Sequence, residues 1–324
     1  MSGLKFGLKL AFAALIFWMV WDNVDLNQFK FVLNDPLLLA VAPLCWLLNQ
    51  LLTTMRLHAV LQALGRPTRL GDVLRANMSS LFVGNLMPGI VGADVVKFFY
   101  LKKNDPSMQN SQLFFVLALD RVLGLMAVLF WCSVFGFCLS SSVFQGRPAF
   151  TVWLTYAPAG ILAAMLLGLW LLNLFMRFAF TLNLPARVRD FLETYQHFRD
   201  SRDTRSLAMV LSYNLSAVFV VLAGLVVMGG QLQLHAGGEP MHALQFFLIP
   251  LVLISSMLPL TPMGIGVAQI SMAGAYELFG LSSSVGVSVS TLSQLGLLMV
   301  SLVVGGACFL LSKADLRQAD ARPV

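Results

Sequence analysis

A chain of 324 residues with 58% hydrophobic and 11% charged side chains is too apolar for a water-soluble domain, where roughly 45–50% and about 25% are usual. Apolar stretches recur from Leu4 to Leu311, so the expected class is a single integral membrane domain, 1–324, with no room for a separate soluble catalytic domain. The net charge of +6 does not point to nucleic acid, because the charges lie in short clusters between apolar stretches, where they carry topology.

Taken in chain order, the first element is Leu4–Trp21. Lys5 and Lys9 ahead of its apolar run Leu10–Trp21 resemble the start of a signal peptide, but Trp21-Asp-Asn-Val-Asp25 follows in place of a small-residue cleavage site. The expectation is a retained first transmembrane helix. A helix needs about 20 residues to cross roughly 30 Å of hydrocarbon. Pro36–Met55, Gln112–Leu139, Thr151–Met176, Ser206–Gly229 and Ser283–Leu311 also meet or approach that length, which predicts six full spans.

Two further apolar segments are broken. Val73–Met87 runs into Pro88-Gly89-Ile-Val-Gly92, and Ala243–Leu258 runs into Pro259-Leu-Thr-Pro262-Met-Gly264-Ile-Gly266. Each half is about 22 Å long as a helix, too short to span. Lys and Arg cluster in 56–72, 97–110, 177–205 and after 312, whereas 22–35, 140–150 and 230–242 hold few or none. The positive-inside rule then places both termini in the cytoplasm. With 56–72 and 97–110 on one side, the Pro88 segment must enter from the cytoplasm and return. The Pro262 segment must do so from the outer face. The predicted fold is all-α, six full spans plus two oppositely oriented re-entrant hairpins at about 73–101 and 243–280, inverted-repeat-like. The shared Pro-x-x-x-Gly frame supports the repeat, as does a polar residue 32 positions after each proline, Asp120 and Gln294. Two unrelated Pro/Gly kinks are the plainer alternative.

Between 184 and 205, Leu184, Val188, Phe191, Leu192, Tyr195 and Phe198 recur at helical spacing among arginines. That pattern predicts an amphipathic cytoplasmic linker lying on the membrane surface.

Asp120 and Arg121 fall near the bilayer middle, where each charge costs about 2.5–3.5 kcal/mol on insertion scales. Adjacent helical residues point about 100° apart, so each needs a partner on another element. Arg121 reads either as a guanidinium for a lipid phosphate or as half of an interhelical ion pair. Asp94 and Lys97 share a helix face after the first break; they pair with each other, or Asp94 takes Arg121 while Lys97 faces a headgroup. Arg56, with Asn49 and Gln50, either lines the cytoplasmic mouth or snorkels at the interface. Glu277 reads as a counter-charge on the outer side or as a solvated interfacial acid, and Gln294 as a site residue or a helix–helix hydrogen bond.

Cys45, Cys132, Cys138 and Cys308 lie inside apolar segments, and the four histidines are scattered, so no metal site is expected. No cofactor is called for. A phosphate-binding Gly-rich loop and a nucleophile elbow are both missing from the sequence, which argues against an enzyme. Asp22 and Asp25 leave one enzymatic alternative, a metal-assisted reaction on a polyprenyl-linked or glycolipid substrate. A non-transporting accessory subunit is a third reading.

Arg56…Gly65, Asn85-Leu-Met-Pro-Gly-Ile-Val-Gly-Ala-Asp-Val-Val-Lys97, Leu119-Asp-Arg-Val-Leu-Gly124 and Leu260-Thr-Pro-Met-Gly-Ile-Gly-Val-Ala-Gln269 together resemble the lysylphosphatidylglycerol synthase transmembrane-region family. That is the flippase-like domain at the front of multiple peptide resistance factors. The resemblance implies a bacterial or archaeal inner-membrane protein that flips or carries a lipid, and a bacterial inner membrane is the expected location. It implies site positions at Pro88, Gly89, Gly92, Asp94, Lys97, Asp120, Arg121, Pro262, Gly264 and Gly266, with Asn85 inside the first motif. The chain departs from the family pattern at Ala93, Lys97, Asp120 and Gln269, where Gly, Arg, Glu and an acid are usual. The soluble aminoacyl-transferase domain is not in the sequence, so lysylated lipid is not an expected product. A membrane lipid is the expected substrate, with a second copy or a biosynthetic-pathway protein left open as partner.

Overall fold

The computed structural model describes residues 26–66, 68–86, 91–139, 149–179, 185–201, 203–256 and 264–311. Among these residues the chain is helical and forms no strand. In hydrocarbon every backbone N–H and C=O must be satisfied within its own segment, and a helix does that.

The elements in order are α1 (Leu26–Asn34), α2 (Pro36–Ala63), α3 (Leu70–Leu86), α4 (Val91–Asn104), α5 (Asn110–Cys138) and α6 (Ala149–Ala179). They continue with α7 (Ala186–Ser201), α8 (Thr204–His235), α9 (His242–Ser256), α10 (Val267–Leu278) and α11 (Ser283–Val300). A π-helical turn, Ser301–Gly305, follows α11, and the apolar helix runs on to Leu311. Local chemistry fixes several boundaries. Asp35 caps α2 by accepting from the Leu37 and Leu38 amides at 3.0 and 3.1 Å, with Pro36 in the first turn where its missing N–H costs nothing. Asp203 caps α8 through the Ser206 amide at 2.6 Å.

Five of the described helices are long and apolar enough to cross a membrane: α2, α5, α6, α8 and α11 with its extension. They coincide with five of the six expected spans. The sixth, Leu4–Trp21, lies outside the described residues, as do Asp22 and Asp25. Helices α3, α4, α9 and α10 have 17, 14, 15 and 12 residues, or about 18–26 Å each, below a full crossing.

The long helices α2 and α8 pack along each other at the centre, and α11 lies against both. Helix α3 packs on α4 and α9 on α10, and each pair also reaches across the molecule. Helix α3 touches the π turn that follows α11, and α9 lies along α5. Small residues permit these approaches. A Cβ at Gly84 would sit 2.5 Å from that of Ala93, which joins α3 to α4. At Gly296 of α11 a Cβ would meet the Ala42 carbonyl carbon at 2.8 Å and the Pro43 nitrogen at 2.9 Å, both backbone atoms of α2 that cannot swing away. Gly296→Val should therefore destabilise the protein by about 1–3 kcal/mol through overpacking. A thermal melt in detergent reads this as a lowered Tm.

Helix α7 covers the stretch expected as an amphipathic linker, and part of its apolar side packs on protein while Val188 stays exposed: Phe191, Tyr195 and Phe198 surround Phe115 of α5 at ring-centroid distances of 5.5, 6.3 and 5.7 Å. The three residues at 3–4 spacing that suggested a lipid-facing stripe find an aromatic partner on the first turns of α5, which covers them as well as lipid would.

Candidate functional site

Helices α4 and α5 are joined by the short turn 105–109, which fixes their relative register. Lys102 closes that turn by donating to the carbonyls of Pro106, at 3.1 Å, and Met108. Arg66, past the end of α2, donates to Ser107 at 3.0 Å and Gln112 at 2.8 Å and lies 3.4 Å from the Asp105 carboxylate. The Ser107 hydroxyl, and then Arg66, hold the Asp105 carboxyl below the usual carboxylate range. Measured from this turn, Asp94 lies about 15 Å up α4, and Asp120 and Arg121 about 15–17 Å up α5. The register places the two acid–base sets at one depth.

Asp120 is the hub of a buried network. Arg56 of α2 donates through Nε at 3.1 Å and through Nη2 to Asp120 Oδ1, and Nη2 also lies 3.3 Å from the Asp120 carbonyl. Lys97 Nζ of α4 reaches Oδ2 at 3.3 Å. Arg56 Nη1 donates to Asn214 Oδ1 of α8, and Asn214 Nδ2 donates to the Leu123 carbonyl at 2.7 Å. Three helices thus meet at one carboxylate, and Asn214 ties α8 to it through Arg56. Arg56 is only 5% exposed and Lys97 7%, so neither side chain reaches out of the protein. Arg56 therefore does not snorkel. It lies two turns before the end of α2, and Leu57, Val60 and Leu61 beyond it are buried.

The neighbouring pair is built differently. Arg121 donates through Nε to Asp94 Oδ2 at 3.1 Å and through Nη2 to Oδ1 at 2.7 Å, a two-point fork. The Arg121 side chain is 50% exposed and that of Asp94 27%. Both sequence readings of Asp120 and Arg121 that invoked a partner on another helix are thus realised as interhelical ion pairs, and Asp94 pairs with Arg121, not with Lys97. Together Arg56, Lys97 and Arg121 face Asp94 and Asp120: three cations against two carboxylates.

The other expected positions scatter. Asn85, near the end of α3, has a buried Nδ2 without a partner among the described residues. Gly92 lies in the first turn of α4. Gly264 and Gly266 adopt φ of +70° and +87°, a left-handed backbone that favours glycine, just ahead of α10. Pro88, Gly89, Pro259 and Pro262 lie outside the described residues. Gln294 accepts from Gln269 Nε2 at 2.8 Å, while Gln269 Oε1 takes the Gly266 amide at 2.6 Å, so Gln294 is occupied in tying α11 to α10. Glu277 is exposed. Asn49 donates to the Ala217 carbonyl of α8 at 2.8 Å, and Gln50 Oε1 accepts from Asn77 of α3 at 3.2 Å. Both join helices, and both are half-buried. Asn214 was not singled out from the sequence; a lone Asn in the apolar run 206–229 was the available signal.

The architecture and the buried charges define a multi-pass α-helical membrane protein. The chain matches the lysylphosphatidylglycerol synthase transmembrane region over residues 7–305 and belongs to that family, related to lipid handling. No curated protein and no solved structure matches it.

Proposed function

We propose that the protein binds a phosphate-bearing or anionic lipid between its helices and moves it from one leaflet to the other, as a flippase of a bacterial inner membrane. The observation that carries this reading is the Arg121–Asp94 pair. A two-point ion pair half open at mid-membrane depth is costly against hydrocarbon, so it belongs to a water-filled cleft or beneath a headgroup. The surplus positive charge of the cluster favours an anion there, and the guanidinium fork matches two oxygens of one phosphate. The Asn85 Nδ2, buried without a partner among the described residues, is a candidate further donor on α3, the helix that leads into the same break.

The topology that goes with this reading is six spans with cytoplasmic termini and two re-entrant hairpins, α3–α4 from the cytoplasm and α9–α10 from outside. The order long helix, short pair, long helix occurs twice, as α2 to α5 and as α8 to α11. The two copies pack reciprocally: α2 against α8, α3 against the extension of α11, α9 against α5. Such reciprocity is what an internal inverted repeat produces, and broken helices at a repeat interface are where secondary transporters hold their substrates.

Native mass spectrometry of the protein from its own membranes, wild type beside Arg121→Ala, tests the reading. One phosphate-bearing lipid is expected on wild type and not on the variant, and the variant should lose leaflet-to-leaflet transfer of that lipid in reconstituted vesicles. Bulk phospholipid alone on both would refute it.

A further inference from the structure

We infer that Asp94 is a tethered stand-in for the substrate's anion, and that it thereby sets which headgroups Arg121 accepts. The inference rests on the proposed lipid-binding role of Arg121 and adds a specificity device to it.

The two acid–base sets of the site differ in one respect that decides which can exchange. Asp120 is held by two cations from two other helices, its side chain is 14% exposed, and removing it would leave Arg56 and Lys97 bare. Asp94 meets one cation, Arg121, and both are open to the outside of the protein. The two carboxylate oxygens sit on Nε and Nη2, the arrangement that two oxygens of a phosphate would take on the same fork. A lipid phosphate arriving at Arg121 therefore competes with Asp94 for one set of donors.

The displaced carboxylate has somewhere to go. Asp94 lies in the first turn of α4, where the helix dipole favours a negative charge, and Lys97 follows at i+3 on the same face. Exchange then leaves the acid partly compensated and transfers the fork to the ligand. A headgroup without a fixed anion, such as a free glycerol or a sugar hydroxyl, offers Arg121 less than Asp94 already does. Asp94 is in this sense a filter, admitting headgroups that carry phosphate and refusing neutral ones.

The test uses the full-length protein in detergent with two short-chain probes, dioctanoyl phosphatidylglycerol and dioctanoylglycerol. If the closed pair leaves about one molecule in ten competent, Asp94→Asn should lower the Kd for the phosphate probe about tenfold. It should also strengthen the neutral probe's weak binding, because the acid that refuses a hydroxyl headgroup is gone; a gain confined to the phosphate probe would mean that Asp94 acts through net charge alone, and the filter fails. Asp94→Asn combined with Arg121→Ala should show none of the gain. Should Asp94→Asn not accumulate, Asp94→Ser carries the same expectation. Phosphate-probe binding that is equal or weaker in the Asp94 variants, while Arg121→Ala still loses it, overturns the filter. Asp94 would then merely orient Arg121, and the lipid-binding reading would stand. If Arg121→Ala changes nothing in either background, the lipid-binding reading itself fails and takes the filter with it.

Discussion

Asp120→Ala should be strongly damaging, lowering stability by about 3–5 kcal/mol and strongly reducing the amount of protein that accumulates in the membrane. The reason is that one carboxylate balances two cations. Arg56 and Lys97 reach it from α2 and α4, both nearly inaccessible, and Asp120 lies on the third helix, α5. With the acid gone, two positive charges remain where water cannot solvate them. Asp120→Asn keeps the shape and an acceptor oxygen, so it should sit between wild type and Ala. Adding Lys97→Met to Asp120→Ala should recover part of the loss, because it removes one stranded charge and fills the space with apolar atoms. A thermal melt of each purified variant, with membrane abundance alongside, checks the ordering. If Asp120→Ala melts within a degree or two of wild type, the network is not the keystone its geometry indicates.

The spans, and the need of Asp120 and Arg121 for partners on other helices, are legible in the sequence because the physics there is local. Five spans follow from apolar length alone, since hydrocarbon thickness dictates how many residues a crossing needs. That Asp120 and Arg121 must look to different elements follows from the 100° step between neighbours on a helix. The sequence offers Asp94, just after the first break, as one partner for Arg121. Gly264 and Gly266 were legible because clustered glycines after a proline mark a backbone that side chains would strain.

What was not legible depends on contacts far apart in the chain. Arg56 was read at the end of its helix because it is the charge at which the apolar run stops, and a terminal Arg looks like a snorkelling one. In the fold the helix continues to Ala63, so the same residue is interior, and its partner is 64 positions away. Asn214 became necessary only once Arg56 pointed inward and needed an acceptor for Nη1. Helix α7 shows a related ambiguity: an apolar stripe states that a face must be covered, and the sequence does not say whether lipid or Phe115 covers it.

Arg56→Gln and Lys97→Gln should separate sharply, although each removes one cation from the same carboxylate. After either change Asp120 keeps one positive partner, so charge balance alone predicts similar outcomes. Hydrogen bonding does not. Arg56 contacts Asp120 through two nitrogens and Asn214 through a third, and so ties α2, α5 and α8 together, while Lys97 makes one contact at 3.3 Å. Losing Arg56 also leaves the Asn214 oxygen without its donor in a dry interface. Arg56→Gln should therefore cost about 3–5 kcal/mol, and Arg56→Lys should rescue little of it, because a point charge cannot reproduce the fork. Lys97→Gln should cost about 1 kcal/mol or less, as the loss of one long charge-assisted hydrogen bond in an otherwise balanced pair. Its larger effect should fall on binding. Without Lys97 the cluster has two cations against two carboxylates, and the surplus that favours an anionic headgroup beside Arg121 disappears. Lys97→Gln is thus expected to melt near wild type yet hold a phosphate lipid less tightly, whereas Arg56→Gln should melt early whatever it binds. Melting curves and lipid retention measured on the same preparations check both, and equal losses of stability for the two variants would mean that net charge, not hydrogen-bond geometry, holds the four helices together.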